Sequence, residues 1–176
     1  MEKTLSSRLI HEGRNFRFRT DDVELPDGRR TVRDIVEHPG AVAIIPILPD
    51  GRMVLVRQYR YAVQKELLEI PAGTLEEGEE PVDCARRELV EETGYEAGVL
   101  ERIMSCYMAP GYSSELIHFY VATELGLVGA DAELDEAITV ERLGSDEVLA
   151  MIEENLIEDA KTIAGVLAYL TTGSPA

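Results

Sequence analysis

Residues 73–95, GTLEEGEEPVDCARRELVEETGY, decide the fold prediction for this chain. Eight of these 23 residues are glutamate or aspartate. Glu88, Glu91 and Glu92 fall within about two helical turns. Like charges this close destabilise a helix unless something positive lies among them. The stretch therefore needs a positive partner.

The stretch predicts a loop followed by a helix over residues 81–92. A proline suits the first helical turn, and Gly94 supplies a left-handed stop just past the end. Glu88 and Glu92 stack one turn apart with Glu91 beside them. Their face adjoins the expected buried stripe, which consists of Val82, Ala85 and Leu89. We therefore expect the three carboxylates at the rim of the core, partly sheltered from water.

Sheltered carboxylates that repel each other have raised pKa values unless a cation binds between them. Arg87 is one helical partner for Glu91, but a single arginine does not neutralise three carboxylates. Mg²⁺ takes oxygen ligands and is typically held by one or two carboxylates together with substrate phosphates. A solvated acidic face is the alternative, but the Gly/Glu loop before the helix favours a metal site.

Composition limits the classes of function. The chain has 176 residues and a formal net charge of -17, so we expect one domain and no nucleic-acid partner. Such a charge also fits a plain soluble surface or adaptation to high salt. The sequence contains no apolar run of about 18 residues, so we expect no membrane-spanning helix. The first residues also lack the apolar stretch of a secretory signal. Cys84 and Cys106 form no CxxC pair, so we expect a cytoplasmic protein.

Strands with a few interspersed helices predict an α/β or α+β chain. The expected strands are 16–23, 31–36, 41–48, 52–59, 66–70, 99–104, 116–122 and 138–143. We expect 41–48 and 52–59 to form a hairpin across a Pro-Asp-Gly turn. Two further helices are expected at 146–154, with Ser145 as N-cap, and at 159–170, ended by Gly173. Residues 1–38 read as an N-terminal β appendage and 39–176 as the main domain.

The acidic stretch resembles the Nudix box, G-x5-E-x7-R-E-U-x-E-E-x-G-U, where U is apolar. The matching positions are Gly73, Glu79, Arg87, Glu88, Leu89, Glu91, Glu92 and Gly94, with Tyr95 in the last apolar slot. The resemblance implies an α/β/α sandwich with a mixed sheet. It also implies hydrolysis of a nucleoside diphosphate linked to another moiety, with Mg²⁺ or Mn²⁺.

The same resemblance implies roles for individual residues. The Glu88, Glu91 and Glu92 positions ligate metal together with the Ala72 carbonyl, and Glu91 is also counted as catalytic. Glu79 and Arg87 brace the helix and the loop, and Gly73 permits the turn. The general base is expected in the acidic loop 129–140. There Glu133 matches near the base position, Glu136 matches an additional carboxylate close to the metal, and Asp135 stays open.

Outside the box the sequence resembles the ADP-ribose pyrophosphatase branch of this family. Pro110 lies 15 residues beyond Tyr95, and RQYR (57–60), LLEIPAG (67–73) and EDAKTIAGVLAYL (158–170) extend the likeness. The branch implies cleavage of ADP-ribose to AMP and ribose 5-phosphate. Neighbouring branches share the proline, so another nucleoside diphosphate sugar is the alternative substrate. A non-catalytic nucleotide sensor is the alternative from a different class.

The branch also implies substrate contacts and a homodimer. Arg60 is expected to clamp a phosphate, and Arg57 follows the same strand, although a solvated arginine explains Arg57 equally well. Arg33 and Asp34 are expected near adenine, on strands that reach the site of the partner chain. Glu115 is expected at the terminal ribose. For these three residues the alternative is plain surface charge.

Overall fold

The computed structural model describes residues 1–129 and 138–172, and in these ranges it contains ten strands and three α-helices. The strands are β1 (Lys3–Glu12), β2 (Arg17–Glu24), β3 (Arg30–Glu37), β4 (Ala41–Pro46), β5 (Met53–Arg60), β6 (Lys65–Glu69), β7 (Ala72–Thr74), β8 (Tyr95–Tyr107), β9 (Leu116–Leu127) and β10 (Thr139–Leu143). The helices are α1 (Pro81–Thr93), α2 (Ser145–Glu153) and α3 (Ala160–Thr172), and a 3₁₀ turn covers Tyr61–Val63.

The strands form three sheets, in the orders β1-β2-β3, β10-β5-β6 and β7-β4-β9-β8. Strand β4 runs parallel to β9 and antiparallel to β7. The prediction of a mixed sheet with additional β structure at the N-terminus is therefore confirmed.

Strand β4 lies at the centre of the molecule, since all six of its residues are buried. Ala43 and Ile45 face a core formed with β5, β6, α2 and α3. Val42 and Ile44 face a second core formed with α1. Fully burying each of the larger side chains stabilises the fold by about 1.5–3 kcal/mol. Because α1 and α3 cover opposite faces of this strand, the predicted α/β/α arrangement is confirmed.

Helix α3 approaches the sheet closely at Gly165. A Cβ atom there would lie 3.0 Å from Cδ1 of Ile70 and 3.0 Å from Cδ1 of Phe119. A glycine at this position therefore lets the helix backbone pack directly on the two buried side chains. The close contact brings the first turn of α3 next to the end of β6, which becomes important at the site.

The predicted hairpin between 41–48 and 52–59 is wrong. The turn itself forms, with Gly51 at a φ of 84°, but the bridge between Ile47 and Met53 is the pairing found across it. Strand β4 then pairs with β7 and β9, while β5 pairs with β6 and β10. Two apolar strands that are neighbours in the sequence thus enter different sheets, each paired with strands from other parts of the chain.

Three smaller expectations also differ. Strand β1 was not expected, because its sequence shows no alternation and all ten of its residues are exposed. Val82 is 37% exposed, and Cys84 takes its place in the buried face of α1. Ser145 is the first residue of α2 and Gly144 occupies the N-cap without a side-chain hydrogen bond. Gly173 lies outside the described residues.

None of the described helices has the length and apolar character needed to span a bilayer.

Candidate active site

A cavity of about 1060 Å³, here the large cavity, lies between α1 and the turn that joins β1 to β2. Glu88, Glu91 and Glu92 line it from the α1 side, and Gly13 to Arg17 line it from the turn. A second cavity of about 290 Å³, here the small cavity, lies beside it. Arg60 and the residues of β7 line both cavities.

The three α1 carboxylates are partly sheltered, as the sequence predicts. The side chain of Glu88 is 13% exposed and that of Glu91 is 35% exposed. Glu92 as a residue is 7% exposed, and its Oε2 accepts a hydrogen bond from the Ala72 N–H at 3.0 Å. These carboxylates therefore stand at the boundary between the α1 core and the large cavity.

Arg87 holds the carboxylates of this region together. Its Nε and Nη2 both donate to the Glu79 carboxylate at 3.0 Å. Its Nη1 donates to Glu88 at 2.7 Å and to Glu91 at 3.1 Å. The hydrogen bond from Arg87 lowers the pKa of Glu79 to about 2, and the Glu79 carboxylate in turn raises the pKa of Arg87. This geometry is the brace between helix and loop that the resemblance implies.

Gly73 is required by space. A Cβ atom at this position would lie 1.8 Å from Cδ and 1.8 Å from Oε1 of Glu88. The φ of Gly73 is not in the left-handed region, unlike that of Gly94 at 73°. The carboxylate of Glu88 thus lies in the volume that any side chain at position 73 would fill. This spatial requirement differs from the role in the turn that the resemblance implies for Gly73.

The donor chemistry of the three carboxylates fits a hard divalent cation, since their oxygen atoms are the ligands such a cation takes and all three residues line one cavity. Within residues 1–129 and 138–172, no three acidic, imidazole or thiol groups converge closely enough to form a ready cation site. Arg87 holds Glu88 and Glu91, while the Ala72 N–H holds Glu92. A metal ion would therefore compete with Arg87 for two of the carboxylates.

Arg60 stands at the junction of the two cavities. Its Nε and Nη2 donate to the two carboxylate oxygens of Glu69 at 2.8 and 2.7 Å. The small cavity continues past it to Met108, Glu115 and Lys161. Arg60 and Glu115, predicted to contact phosphate and terminal ribose, thus lie on one continuous surface.

Other predicted site residues lie elsewhere. Arg57 donates to Glu141 at 2.6 Å, Arg33 to Glu2 at 2.6 Å, and Asp34 accepts from Thr20 at 2.7 Å. These three predicted residues are not among the residues that line either cavity. The candidate base residues Glu133, Asp135 and Glu136 lie outside the described residues.

Two groups of residues at or next to the cavities were not predicted. Arg14 and the exposed Phe16 lie in the β1–β2 turn and Arg17 begins β2, and an exposed aromatic between arginines is the signal that could have identified this region. Glu69 is an acidic residue inside the apolar segment LLEIPAG, so it requires a cation. Lys161 carries no comparable signal in its helical segment.

Comparison with known proteins identifies the family. A model described as the NUDIX domain matches residues 37–163. The chain belongs to the NUDIX family of hydrolases. A second model, described as the nucleoside diphosphate sugar hydrolase N-terminal domain, matches residues 2–39. NUDIX hydrolases generally need a divalent metal ion, in keeping with the donor set on α1.

Three relatives illustrate the likeness of this NUDIX protein to known ones. A methanol dehydrogenase activator of Bacillus methanolicus is 46% identical over 94% of this chain and 90% of its own length. An ADP-ribose pyrophosphatase of Bacillus subtilis (strain 168) is 41% identical over 96% of this chain and 92% of its own length. The crystal structure of an ADP compounds hydrolase, at 25% identity, superposes with a TM-score of 0.84 and covers 95% of this chain and 91% of that chain.

Proposed function

We propose that this NUDIX protein hydrolyses the diphosphate bond of ADP-ribose to give AMP and ribose 5-phosphate. One observation carries the proposal: three sheltered carboxylates of α1 and the arginine at the cavity junction line the same large cavity. Similarity to an ADP-ribose pyrophosphatase over 96% of the chain supports this choice of substrate. The diphosphate would lie between the α1 carboxylates and Arg60.

Glu88, Glu91 and Glu92, with the Ala72 carbonyl, would hold Mg²⁺, with Mn²⁺ as a second option. When bound, the divalent ion would offset charge on the diphosphate and polarise a phosphoryl oxygen as a Lewis acid. The chain's own contribution is placement. Glu92 is fixed by the Ala72 N–H, and Glu88 is fixed by its fit against Gly73.

Arg60 binds and orients the diphosphate in this proposal. A guanidinium carries five N–H donors, and two of them go to Glu69. The described residues therefore leave three donors for phosphate oxygens, which match the planar geometry of arginine. Such fixed placement of reacting groups is the main source of catalysis in phosphoryl transfer.

In this proposal the general base that takes the proton of the attacking water comes from the acidic loop 129–140. Ile138, which leads into β10, lines the large cavity, and this supports a base just before it in the chain. Glu133 and Glu136 are the two candidates, with Asp135 third. Separate Gln or Asn variants of the three would each be assayed across pH, and the base variant should lose the limb of the rate profile that rises with pH.

A panel of substrates tests the proposed function. Purified protein with Mg²⁺ is expected to release AMP from ADP-ribose faster than it cleaves ADP-glucose or GDP-mannose. Rapid cleavage of another nucleoside diphosphate sugar, with no AMP from ADP-ribose, would replace the substrate while keeping the chemistry. That second candidate is favoured by the match of residues 2–39 to the nucleoside diphosphate sugar hydrolase N-terminal domain. Titration with Mg²⁺ and Mn²⁺ in the same assay compares the two ions.

We also propose a homodimer in a reducing cytoplasm, with residues 1–38 as an N-terminal β appendage and 39–176 as the hydrolase domain. Strand β1 exposes Leu5, Leu9 and Ile10, which suits burial against a second copy. Arg33 and Asp34, which line neither cavity of their own chain, would then contact adenine in the partner's site. Both cysteines are free thiols, in keeping with a reducing compartment. A monomer by light scattering at micromolar concentration would refute the dimer.

A further inference from the structure

Glu69, the last residue of β6, is a buried charged residue. Its exposed fraction is 1%, and its carboxylate accepts two hydrogen bonds from Arg60 and one from the Lys161 ammonium. Burying a carboxylate is costly unless cations and hydrogen bonds surround it. Glu69 therefore has a structural requirement for both cations, which come from β5 and α3.

The lysine is itself fixed by the first turn of α3. Its Nζ donates to Asp159 Oδ2 at 2.9 Å, and the same oxygen accepts from the Thr162 N–H at 2.9 Å. The Thr162 hydroxyl donates to Asp159 at 2.6 Å and accepts from the Ile70 N–H at 2.9 Å. The hydrogen bonds thus run from Lys161 through Asp159 and Thr162 to the backbone of Ile70, the residue after Glu69.

The protonation states of the pair are stable. Burial raises the pKa of the Glu69 carboxyl, but the hydrogen bonds and charges of Arg60 and Lys161 outweigh it, so the pKa lies below its ordinary value. The same contact with Glu69 raises the pKa of Arg60. Arg60 and Glu69 therefore stay charged and paired throughout the neutral range.

The contacts use one edge of the Arg60 guanidinium. Nε and Nη2 face Glu69, so Nη1 and the remaining N–H of Nη2 point away from it. Arg60 lines both the large and the small cavity, and Glu69 is among the lining residues of neither. We therefore infer that the edge turned away from Glu69 is the one that faces the cavities. An arginine held on one edge loses less side-chain freedom when its other edge binds a ligand.

We propose that Glu69 and Lys161 are positioning residues for hydrolysis: they hold Arg60 in one orientation, so that its second edge is presented to the diphosphate. The proposal rests on the proposed function in that Arg60 is taken to bind phosphate. Lys161 also lines the small cavity, but in this proposal neither Lys161 nor Glu69 touches the reacting atoms. Their effect on the reaction passes through Arg60, and this distinguishes them from residues that only stabilise the fold.

A double-mutant cycle tests this route. Glu69→Gln keeps the size and one acceptor but removes the charge, and it should lower kcat/KM by about 10–100-fold, as loss of an orienting partner does at other sites. Arg60→Ala should lower kcat/KM at least as much. If Glu69 acts through Arg60, adding Glu69→Gln to Arg60→Ala changes kcat/KM little. Equal losses in both backgrounds would overturn the proposal.

Lysine variants supply a second measurement that does not depend on Glu69→Gln folding. Lys161→Gln should lower kcat/KM, and Lys161→Arg should restore most of it because the cation is kept. Lys65→Gln is the matched control, since Lys65 forms its ion pair with Glu158 just before α3, whereas Lys161 forms one with Glu69. Lys65 also lies opposite Arg60 in the β5–β6 ladder, so this variant removes a charge beside the arginine without removing a partner of Glu69. Thermal unfolding of all variants separates loss of fold from loss of activity. An equal loss in Lys65→Gln and Lys161→Gln would contradict positioning.

The choice of ligand keeps the two proposals apart. The cycle is measured with whichever nucleoside diphosphate derivative the wild type cleaves fastest, and again as the affinity for inorganic pyrophosphate with Mg²⁺ by calorimetry. Absence of ADP-ribose cleavage with a coupled cycle refutes the substrate and supports the positioning role. If ADP-ribose is cleaved and the effects of the two substitutions are additive in both measurements, the substrate is supported and the positioning role is refuted.

Discussion

Arg87 and Arg60 both line the large cavity, but the protein engages their guanidinium groups to different extents. All three nitrogens of Arg87 are engaged by protein oxygens, on Glu79, Glu88 and Glu91 and on the Thr74 carbonyl. Arg60 directs one edge to Glu69, and the described residues leave its other edge to the cavity. A guanidinium with every donor satisfied braces the fold, whereas one with donors to spare can bind a ligand. The following variants test this division.

Loss of a carboxylate on α1 should have the largest effect. Glu92→Gln is expected to reduce AMP release by more than about 100-fold, beyond the 10–100-fold typical of residues that only support a metal ligand. The glutamine carbonyl can still accept the Ala72 N–H, so the fold should persist. Calorimetry with Mg²⁺ should show weaker binding. Asp83→Asn, on the exposed face of the same helix, is the control, and unchanged activity and Mg²⁺ affinity in Glu92→Gln would remove the metal-site assignment.

The two regions also differ in what the sequence could predict. The carboxylates that hold Arg87 lie 8, 1 and 4 residues from it, so helix geometry and one continuous motif predict that region almost completely. Arg60 and Glu69 are 9 residues apart, but Lys161 and Glu69 are 92 residues apart. That contact depends on how α3 packs against the sheet, which local periodicity does not encode.

The same physical limit explains the errors in the fold. Helix α1 is predicted within one residue because its proline, glycine and apolar positions are local signals. The pairing of β4 with the parallel strand β9 is set by contacts between distant residues, and a hairpin was expected in its place. Strand β1 exposes all its residues and therefore lacks the apolar alternation on which a sequence-based strand prediction depends.

A methyl group at position 73 should disturb the Arg87 region next most strongly. Gly73→Ala places Cβ inside the volume of the Glu88 carboxylate, so either that carboxylate or the β7 backbone must shift. We expect the free energy of unfolding to fall by about 1–3 kcal/mol, as for overpacking elsewhere, and activity to fall with it. Gly111→Ala is the control because nothing lies within 4 Å of its added Cβ. Equal behaviour of the two variants in urea unfolding would contradict the proposed close fit.

The Arg60 region should be sensitive at its link to α3. Thr162 is 0% exposed, and Thr162→Val removes the acceptor of the Ile70 N–H. An unsatisfied buried donor costs about 1–3 kcal/mol, and urea unfolding measures it. Thr171→Val, which removes an exposed hydroxyl contact to its own helix, should change stability by about 0.5 kcal/mol or less. If Thr162→Val were equally mild, the network would not hold α3 to β6.

The smallest expected effect is a dependence of the Arg87 brace on pH. The hydrogen bond from Arg87 lowers the pKa of Glu79 to about 2 from 4.5, so the carboxylate stabilises the fold above its unfolded pKa. That contribution is lost as pH falls from about 4.5 to about 2. Glu79→Gln should therefore lower the free energy of unfolding by about 1 kcal/mol or less at pH 7. The difference from wild type should shrink through this window. Glu77→Gln, exposed in the same loop, is the control, and a difference for Glu79→Gln that did not change with pH would show that Arg87 braces the loop through shape and not through charge.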